Sequence, residues 1–318
     1  MSHDTEDAQQ QSGLLGEILQ GLSQDRKELP PKLFYDADGS TLFDKITTLA
    51  AYYPSKTEAS IMRQNVDEMA ACIGAEALLI EFGSGVSEKT RILLDHLDDL
   101  AGYVPVDISA EHLEAAAESL RAAYPDLEIL PLAADFSRQL DIPTPRRKPR
   151  KRVLYFAGSS LGNFHPTQAR DFLARMRRGA GAEGSVLIGI DMVKDKAVLE
   201  RAYDDPQGVT RAFNLNMLRR INREFDADFD LSAFEHRACY EEGLQRIEMH
   251  LVSQKRQKVK LGASTFDFVE GESILTECSY KWTQESFRAL AERAGLRAEK
   301  VWADEKGWFN LQYLVPMR

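Results

Sequence analysis

Residues 78–90 read Leu-Leu-Ile-Glu-Phe-Gly-Ser-Gly-Val-Ser-Glu-Lys-Thr. A short apolar run ends at Glu81, a glycine-flanked turn follows, and a polar segment then opens a helix. Strand, tight turn and helix start form the geometry that brings backbone N–H groups close to a nucleotide-like ligand. Two further apolar runs also end in acids. Tyr103-Val104-Pro105-Val106 leads to Asp107, and Ile129-Leu130-Pro131-Leu132-Ala133-Ala134 leads to Asp135 beside Phe136. An acid at the second strand end can accept two hydrogen bonds from a ribose diol. An acid next to an aromatic can hold an adenine amino group while the ring stacks on the base.

The glycine turn alone is weak. Glu88 stands where the dinucleotide pattern has its third glycine. Glu81 and Glu88 bracket the turn with negative charge, which disfavours a diphosphate and suits a ligand with a cationic centre and an amine. S-adenosyl-L-methionine (SAM) has both. The expected cofactor residues are Glu81, Gly83, Ser84, Gly85, Lys89, Asp107, Asp135 and Phe136. An ordinary strand–helix turn with a capping acid explains any one of them, but not three strand-end acids in order. A SAM-dependent methyltransferase therefore outranks an NAD enzyme.

Of the 318 residues, 43% are hydrophobic, which suffices for a large core. The formal net charge of −10 argues against a broad phosphate-binding face and so against a nucleic-acid partner. The basic run Arg146–Arg152 reads as a solvated loop. Cys72, Cys239 and Cys278 form no CxxC pair and suit a reducing, cytoplasmic setting. No apolar stretch is long enough to span a bilayer. The histidines are scattered without ligand spacing, so no metal is expected.

Residues 1–12 are polar and Gln-rich and read as a disordered tail. Leu14, Leu15, Ile18, Leu19 and Leu22 recur at helical spacing over 13–24. From 57 to 190 helices and strands alternate, with strands at 78–82, 103–107, 127–132, 153–158 and 185–190. Alternation of this kind means parallel βαβ units. A helix at 284–294 and two strands at 297–303 and 309–316, joined at Asp304–Gly307, close the sheet with an antiparallel hairpin. Between 191 and 282 the pattern changes to helices, broken at Asp204-Asp205-Pro206, followed by alternating segments. That stretch is too long for a loop. The expected fold is α/β, a class I SAM-methyltransferase Rossmann-like sheet with an inserted α+β substrate-binding lobe. Residues 13–27, 57–190 and 283–318 would form the SAM-binding domain, and 28–56 with 191–282 the lobe.

Several polar and aromatic blocks have no role in a plain fold. They are Leu33–Asp44, Ala51–Glu58, Gly158-Ser159-Ser160-Leu161-Gly162-Asn163, Lys194-Asp195, Arg201–Asp205, Gly208-Val209-Thr210, Ile247-Glu248-Met249 and Leu275-Thr276-Glu277-Cys278-Ser279. With these blocks in order from about Pro30 onward, the chain resembles the histidine Nα-methyltransferase family of ergothioneine biosynthesis. The resemblance implies trimethylation of the α-amine of L-histidine to hercynine. It also implies that Glu277 and Ser279, with Tyr52, recognise the imidazole, and that Asn163 and Tyr203 hold the substrate α-carboxylate. Tyr35, Phe43, Gly158, Ser160, Thr210 and Met249 match further pocket positions. Where the family commonly has Gly-Ser-Thr, this chain has Gly158-Ser159-Ser160, which keeps a hydroxyl and removes a methyl.

Glu277 and Ser279, two apart on an expected strand, point to one face. A carboxylate and a hydroxyl there can read both edges of an imidazole. Taken alone, a Glu-x-Ser pair is more often an exposed strand face, Met249 a core residue and Asn163 a turn residue. Methyl transfer needs a neutral amine held in line with the sulfonium methyl. No base stands out, so Asn163 is expected to orient the lone pair, while Tyr35, Phe43 and Tyr52 tolerate the growing cation. The alternatives are the same chemistry on histamine or tryptophan and, more remotely, a noncatalytic SAM-binding regulatory protein. The chain is expected to act on a small molecule as a monomer, without nucleic-acid or membrane partners.

Overall fold

The structure is a computed structural model that describes residues 3–85, 88–136 and 140–317, without the side chains of 3–12 and Glu88. The chain divides into two compact units. The first comprises Met1–Tyr52 and Asp195–Ser279, the second Tyr53–Lys194 and Tyr280–Arg318.

In chain order, α1 spans His3–Leu22 and α2 Ala37–Thr48. Then come α3 (Tyr53–Ile73), β1 (Ala77–Phe82), α4 (Glu88–Leu94), β2 (Gly102–Asp107), α5 (Ala110–Ala123) and β3 (Leu132–Ala133). They are followed by β4 (Lys151–Phe156), α6 (Pro166–Ala180) and β5 (Ser185–Asp191). Next are α7 (Lys196–Tyr203), α8 (Val209–Phe225), β6 (Phe234–Glu241), β7 (Arg246–Ser253), β8 (Gln257–Leu261), β9 (Ser264–Phe268) and β10 (Ser273–Tyr280). The chain ends in α9 (Gln284–Arg293), β11 (Leu296–Ala303) and β12 (Phe309–Pro316).

The second unit is built on a seven-stranded sheet in the order β11-β12-β5-β4-β1-β2-β3. The strands from β5 to β3 are parallel, with Ile80 opposite both Val104 and Leu154. β12 runs antiparallel between β5 and β11, as the hairpin signal implied. β1 and β5 are buried along their whole length, as expected of strands covered on both faces. On one face Leu79, Tyr103, Val153, Tyr155 and Leu187 pack with Ile61, Met62, Val66, Met69 and Ile73 of α3. On the other, Phe82 and Phe156 meet Phe172 of α6. Two elements are shorter than their sequence pattern. The run 127–132 yields only Leu132–Ala133 as strand, because Pro131 has no N–H to give the ladder. Pairing survives around it through Leu130 N to the Tyr103 carbonyl and Ala134 N to the Asp107 carbonyl. The helix expected over 88–99 stops at Leu94.

In the first unit, β10, β7 and β6 form a three-stranded sheet, and β8 pairs with β9. α2 lies against α8 through Asp36. This residue caps α2 at Gly39 N (2.8 Å) and accepts hydrogen bonds from Asn216 (2.7 Å) and Arg223 (2.6 Å). Burial alone would raise the Asp36 pKa, but these donors outweigh it and hold the carboxyl below its ordinary value. Two boundaries differ from the sequence reading. Met1 and Ser2, within the expected tail over 1–12, lie outside the described residues, and helix α1 already begins at His3. Polarity excludes a packed core there, but Ala, Gln and Glu are good helix formers with no Gly or Pro before Gly13. Residues 13–27 belong to the first unit and not to the sheet unit. Ile18 and Leu22 are buried, and Leu29 N donates to the Leu275 carbonyl of β10 at 2.9 Å.

Candidate active site

In the second unit the turn after β1 has positive φ at Gly83 (67°) and Gly85 (48°). A side chain would be strained at either position. Gly83 N and Ser84 N donate to the Val106 carbonyl at 2.8 and 3.3 Å, and Gly85 N to the Asp107 carboxylate at 3.3 Å. The backbone N–H groups of this turn are thus engaged by β2. The buried side chains are less satisfied. Glu81 is fully buried and accepts hydrogen bonds on Oε2 from Thr90 and Tyr103, both at 2.6 Å. Its Oε1 and the Ser84 hydroxyl find no hydrogen-bond partner among the described residues. Burial pushes the Glu81 carboxyl up to about 7, against the pull of its two hydroxyl donors. A buried acid with one open oxygen fits a cationic amine, which would return it to the charged form.

Asp107 is half-buried at the end of β2 and also accepts from Ser109 N at 3.1 Å. Asp135 and Phe136 follow β3, both half-buried. Phe136 stacks with Phe82 at a centroid distance of 5.9 Å and meets Phe156 edge-on at 5.6 Å. Phe82, Phe136 and Phe172 line a cavity of about 400 Å³ together with Ile80, Leu154 and Met176. The strand ends, turn and aromatic site of the expected SAM residues therefore belong to one unit, and their donor set fits SAM.

Lys89 has a partner that sequence reasoning did not find. Glu58 of α3, fully buried, forms an ion pair with Lys89 Nζ at 2.6 Å and accepts the Gly158 N–H at 2.9 Å. Gly189 of β5 is glycine because a Cβ there would collide with the Glu58 carboxylate and the Phe309 ring. The legible signal was helical spacing, since Glu58 shares the face of Ile61, Met62, Val66 and Met69. After β4, Gly158 (φ 73°) and Ser159 (φ 59°) are both left-handed. Ser159 is held in this unfavourable region by accepting Asp191 N on its hydroxyl at 2.8 Å. A 3-10 turn over Ser160–Asn163 follows, with the Ser160 hydroxyl on the Ala157 carbonyl at 3.0 Å and Asn163 half-buried.

The first unit assembles the remaining expected residues. Tyr35 and Phe43 are edge-to-face at 5.9 Å, Phe43 and Tyr52 at 6.3 Å, and Tyr52 and Tyr203 at 6.1 Å. Phe213, not singled out from sequence, touches both Tyr35 and Phe43 and stacks on Phe34 at 4.4 Å. The row ends where Tyr203 Oη meets the Ser279 hydroxyl at 2.8 Å, buried. Glu277 is half-buried two residues earlier on β10, so it shares the Ser279 face. Cys278 between them turns to the other face, where burial pushes its thiol up to about 11 beside Arg246 and Glu248. Met249 is almost fully buried on β7, and its carbonyl accepts from Thr276 at 2.9 Å. Asp205 caps α8 by accepting the N–H groups of Gln207, Val209 and Thr210. The buried Thr210 hydroxyl has no partner among the described residues.

No metal was expected from the spacing of the histidines. The structure nevertheless brings Cys239, Glu248 and His250 within 4.8 Å of one another. There Glu248 is bound by Arg246 and, at 2.5 Å, by Arg26, so its charge is already matched by two guanidinium groups. Among the described residues, no helix is long and apolar enough to cross a membrane.

A family model described as histidine-specific, SAM-dependent methyltransferases matches residues 14–316. The chain belongs to this family. It is 44% identical over 305 residues to a histidine N-alpha-methyltransferase of Mycolicibacterium smegmatis, with 94% of each chain covered. It is also 44% identical over 301 residues to the enzyme of that name from Mycobacterium tuberculosis, covering 93% of this chain and 92% of the relative. A 4-dimethylallyltryptophan N-methyltransferase of Aspergillus fumigatus is 27% identical, covering 94% of this chain and 92% of the relative. The family is thus an enzyme family that uses SAM, and this chain matches it along nearly its whole length.

Proposed function

We propose that the chain trimethylates the α-amine of L-histidine to hercynine, the methyltransferase step of ergothioneine biosynthesis. The observation that carries the reading is the Tyr203–Ser279 hydroxyl pair, closing a row of aromatic rings with Glu277 on the same strand face. Histidine presents a ring with a nitrogen at each edge, a carboxylate and an amine. Glu277 accepts the imidazole N–H. The Ser279 hydroxyl adapts to the other nitrogen, donating or accepting as the tautomer requires. Tyr52 flanks the ring. Tyr203 Oη holds the substrate carboxylate together with Asn163, the role implied for both by the sequence resemblance. Gly158, Ser160, Thr210 and Met249 complete the acceptor residues on the same ground.

When bound, SAM supplies an electrophilic methyl on a sulfonium. Glu81 accepts its amine and Asp107 its ribose hydroxyls. Asp135 takes the adenine amino group and Phe136 the base, while Gly83, Ser84, Gly85 and Lys89 shape the turn around it. Among the acceptor residues no side chain serves as an obligatory base. The amine therefore binds neutral or loses its proton to water, with Asn163 orienting the lone pair. Each transfer enlarges a cation, and Tyr35, Phe43 and Tyr52 offer ring faces that favour quaternary ammonium. The same reading makes the protein a cytoplasmic monomer acting on a small molecule, without a nucleic-acid partner. Cys72, Cys239 and Cys278 are free thiols, which suits a reducing compartment.

The test is mass spectrometry of purified protein with SAM, the twenty amino acids and histamine. L-histidine gains one, two and three methyl groups, and histamine, lacking a carboxylate for Tyr203 and Asn163, reacts far less. Preference for tryptophan or histamine would overturn the acceptor and leave the methyltransferase intact.

The cofactor side has its own check. Asp107→Ala weakens SAM binding roughly tenfold, the loss expected for a half-exposed acceptor bound to a diol. The variant stays folded, because β2 remains buried up to Val106. Calorimetry giving wild-type affinity would remove Asp107 from the cofactor site.

A further inference from the structure

The chain passes between its two units at three places, 52/53, 194/195 and 279/280. A residue within two positions of each crossing meets the carboxylate of Asp191, at the end of β5. Tyr53 donates its hydroxyl to both oxygens, at 2.8 and 2.7 Å. Lys281 Nζ lies 2.8 Å from Oδ2, and Lys194 Nζ donates to Oδ1. Lys194 also donates to the Tyr53 hydroxyl at 2.7 Å and to the Met192 carbonyl at 2.5 Å. The backbone repeats the pattern, with Trp282 N on the Asp191 carbonyl at 3.0 Å and Val193 N on the Trp282 carbonyl at 2.9 Å. All four residues belong to the sheet unit. The side chains of Asp191, Lys194 and Lys281 are 2%, 3% and 0% exposed, so water does not substitute for any of them.

Stability alone is a poor reason for such a cluster. Desolvating three charges offsets most of their attraction, and well-packed apolar side chains commonly do as well. What apolar packing cannot supply is direction, because a carboxylate with fixed donors accepts each partner in one geometry. The segments so fixed carry acceptor residues immediately beyond the crossings. Tyr52 precedes Tyr53, and Glu277 and Ser279 lie on β10, which ends at Tyr280, one residue before Lys281. We propose that Asp191 is a positioning residue for acceptor recognition. It clamps Tyr53, Lys194 and Lys281 so that Tyr52, Glu277 and Ser279 are presented in one arrangement. This rests on the assignment of histidine as the acceptor.

The clamp is tested with Tyr53→Phe, Lys281→Met and the two combined, measuring histidine KM and kcat, SAM affinity and denaturation midpoint. Asp191→Asn is the direct variant, but it strands two buried lysines. Tyr53→Phe, which removes one hydroxyl and keeps the ring, carries the test if Asp191→Asn does not fold. Each single change raises the histidine KM roughly five- to thirtyfold, the size of one or two hydrogen bonds to a charged group, with SAM affinity within about twofold. Acting through one carboxylate, the pair together raises KM by less than the product of the singles. A folded single variant with wild-type KM overturns the clamp. So does a multiplicative pair, or parallel losses of SAM binding, kcat and stability, which mark a merely structural cluster. Glu277→Ala is assayed alongside. If it raises KM and the clamp variants do not, the clamp alone is wrong. If the wild-type protein does not methylate histidine, the acceptor assignment fails and the clamp falls with it.

Discussion

Glu277→Ala raises the histidine KM roughly ten- to a hundredfold and leaves SAM affinity near the wild-type value. The carboxylate sits on β10 in the first unit, whereas every expected cofactor residue belongs to the second. On the proposed reading its truncation removes a charged acceptor from the imidazole N–H without touching Glu81, Asp107 or Asp135. The Ser279 hydroxyl, 2.8 Å from Tyr203 Oη, remains for the other edge of the ring. Binding weakens, and loss of orientation also lowers kcat to a lesser degree. The vacated space admits a larger apolar ring, so tryptophan loses less rate than histidine. Specificity is a difference between acceptors, and deleting a group matched to one of them narrows that difference. Steady-state kinetics on both amino acids, with SAM titrated separately, decide the matter. Wild-type histidine kinetics in the variant, or loss of SAM binding, would make Glu277 a structural residue.

Local rules made much of this architecture readable. Strand ends with acids, a glycine turn and alternation of helix and strand locate β1, β2, β4 and β5. The turn Asp304–Gly307 announces the closing hairpin, and in the structure the Asp304 carboxylate caps it by accepting the N–H groups of Lys306, Trp308 and Phe309. β3 was overestimated because an apolar run carries no information about which N–H groups it can offer, and Pro131 offers none. The membership of α1 was unreadable for a related reason. An amphipathic helix shows that it buries a face, not which surface receives it. The same limit applies to the site. Glu277, Ser279, Tyr52 and Tyr203 were reached through a resemblance of ordered blocks, since no spacing rule brings residues 52, 203 and 279 together. Asp191 and Lys281 carry no sequence signal of their own, because the residues that meet them lie far apart in the chain. Only the tertiary structure shows Tyr53, Lys194 and Lys281 converging on one carboxylate.

Glu58→Ala destabilises the protein by about 3–5 kcal/mol, the range for removing one partner of a buried ion pair. The Glu58 side chain is 0% exposed and that of Lys89 17%, so the ammonium left behind is poorly solvated. The Gly158 N–H, 2.9 Å from the carboxylate, loses its acceptor in the same step. Gly189, which leaves room for this carboxylate, would then face a cavity. The loss reaches the cofactor because Glu58 ties the helix carrying Lys89, after the glycine turn, to the left-handed Gly158–Ser159 segment after β4. SAM affinity accordingly falls by more than about tenfold, beyond what a distant core truncation would produce. Glu58→Gln keeps an oxygen for Gly158 but loses the charge opposite Lys89, so it lies between wild type and Ala in both measurements. Chemical denaturation and calorimetric SAM titration of the two variants provide the check. An Ala variant within about 1 kcal/mol of wild type, the scale of an ordinary surface change, and binding SAM normally would show that Lys89 and Gly158 hold their places without Glu58.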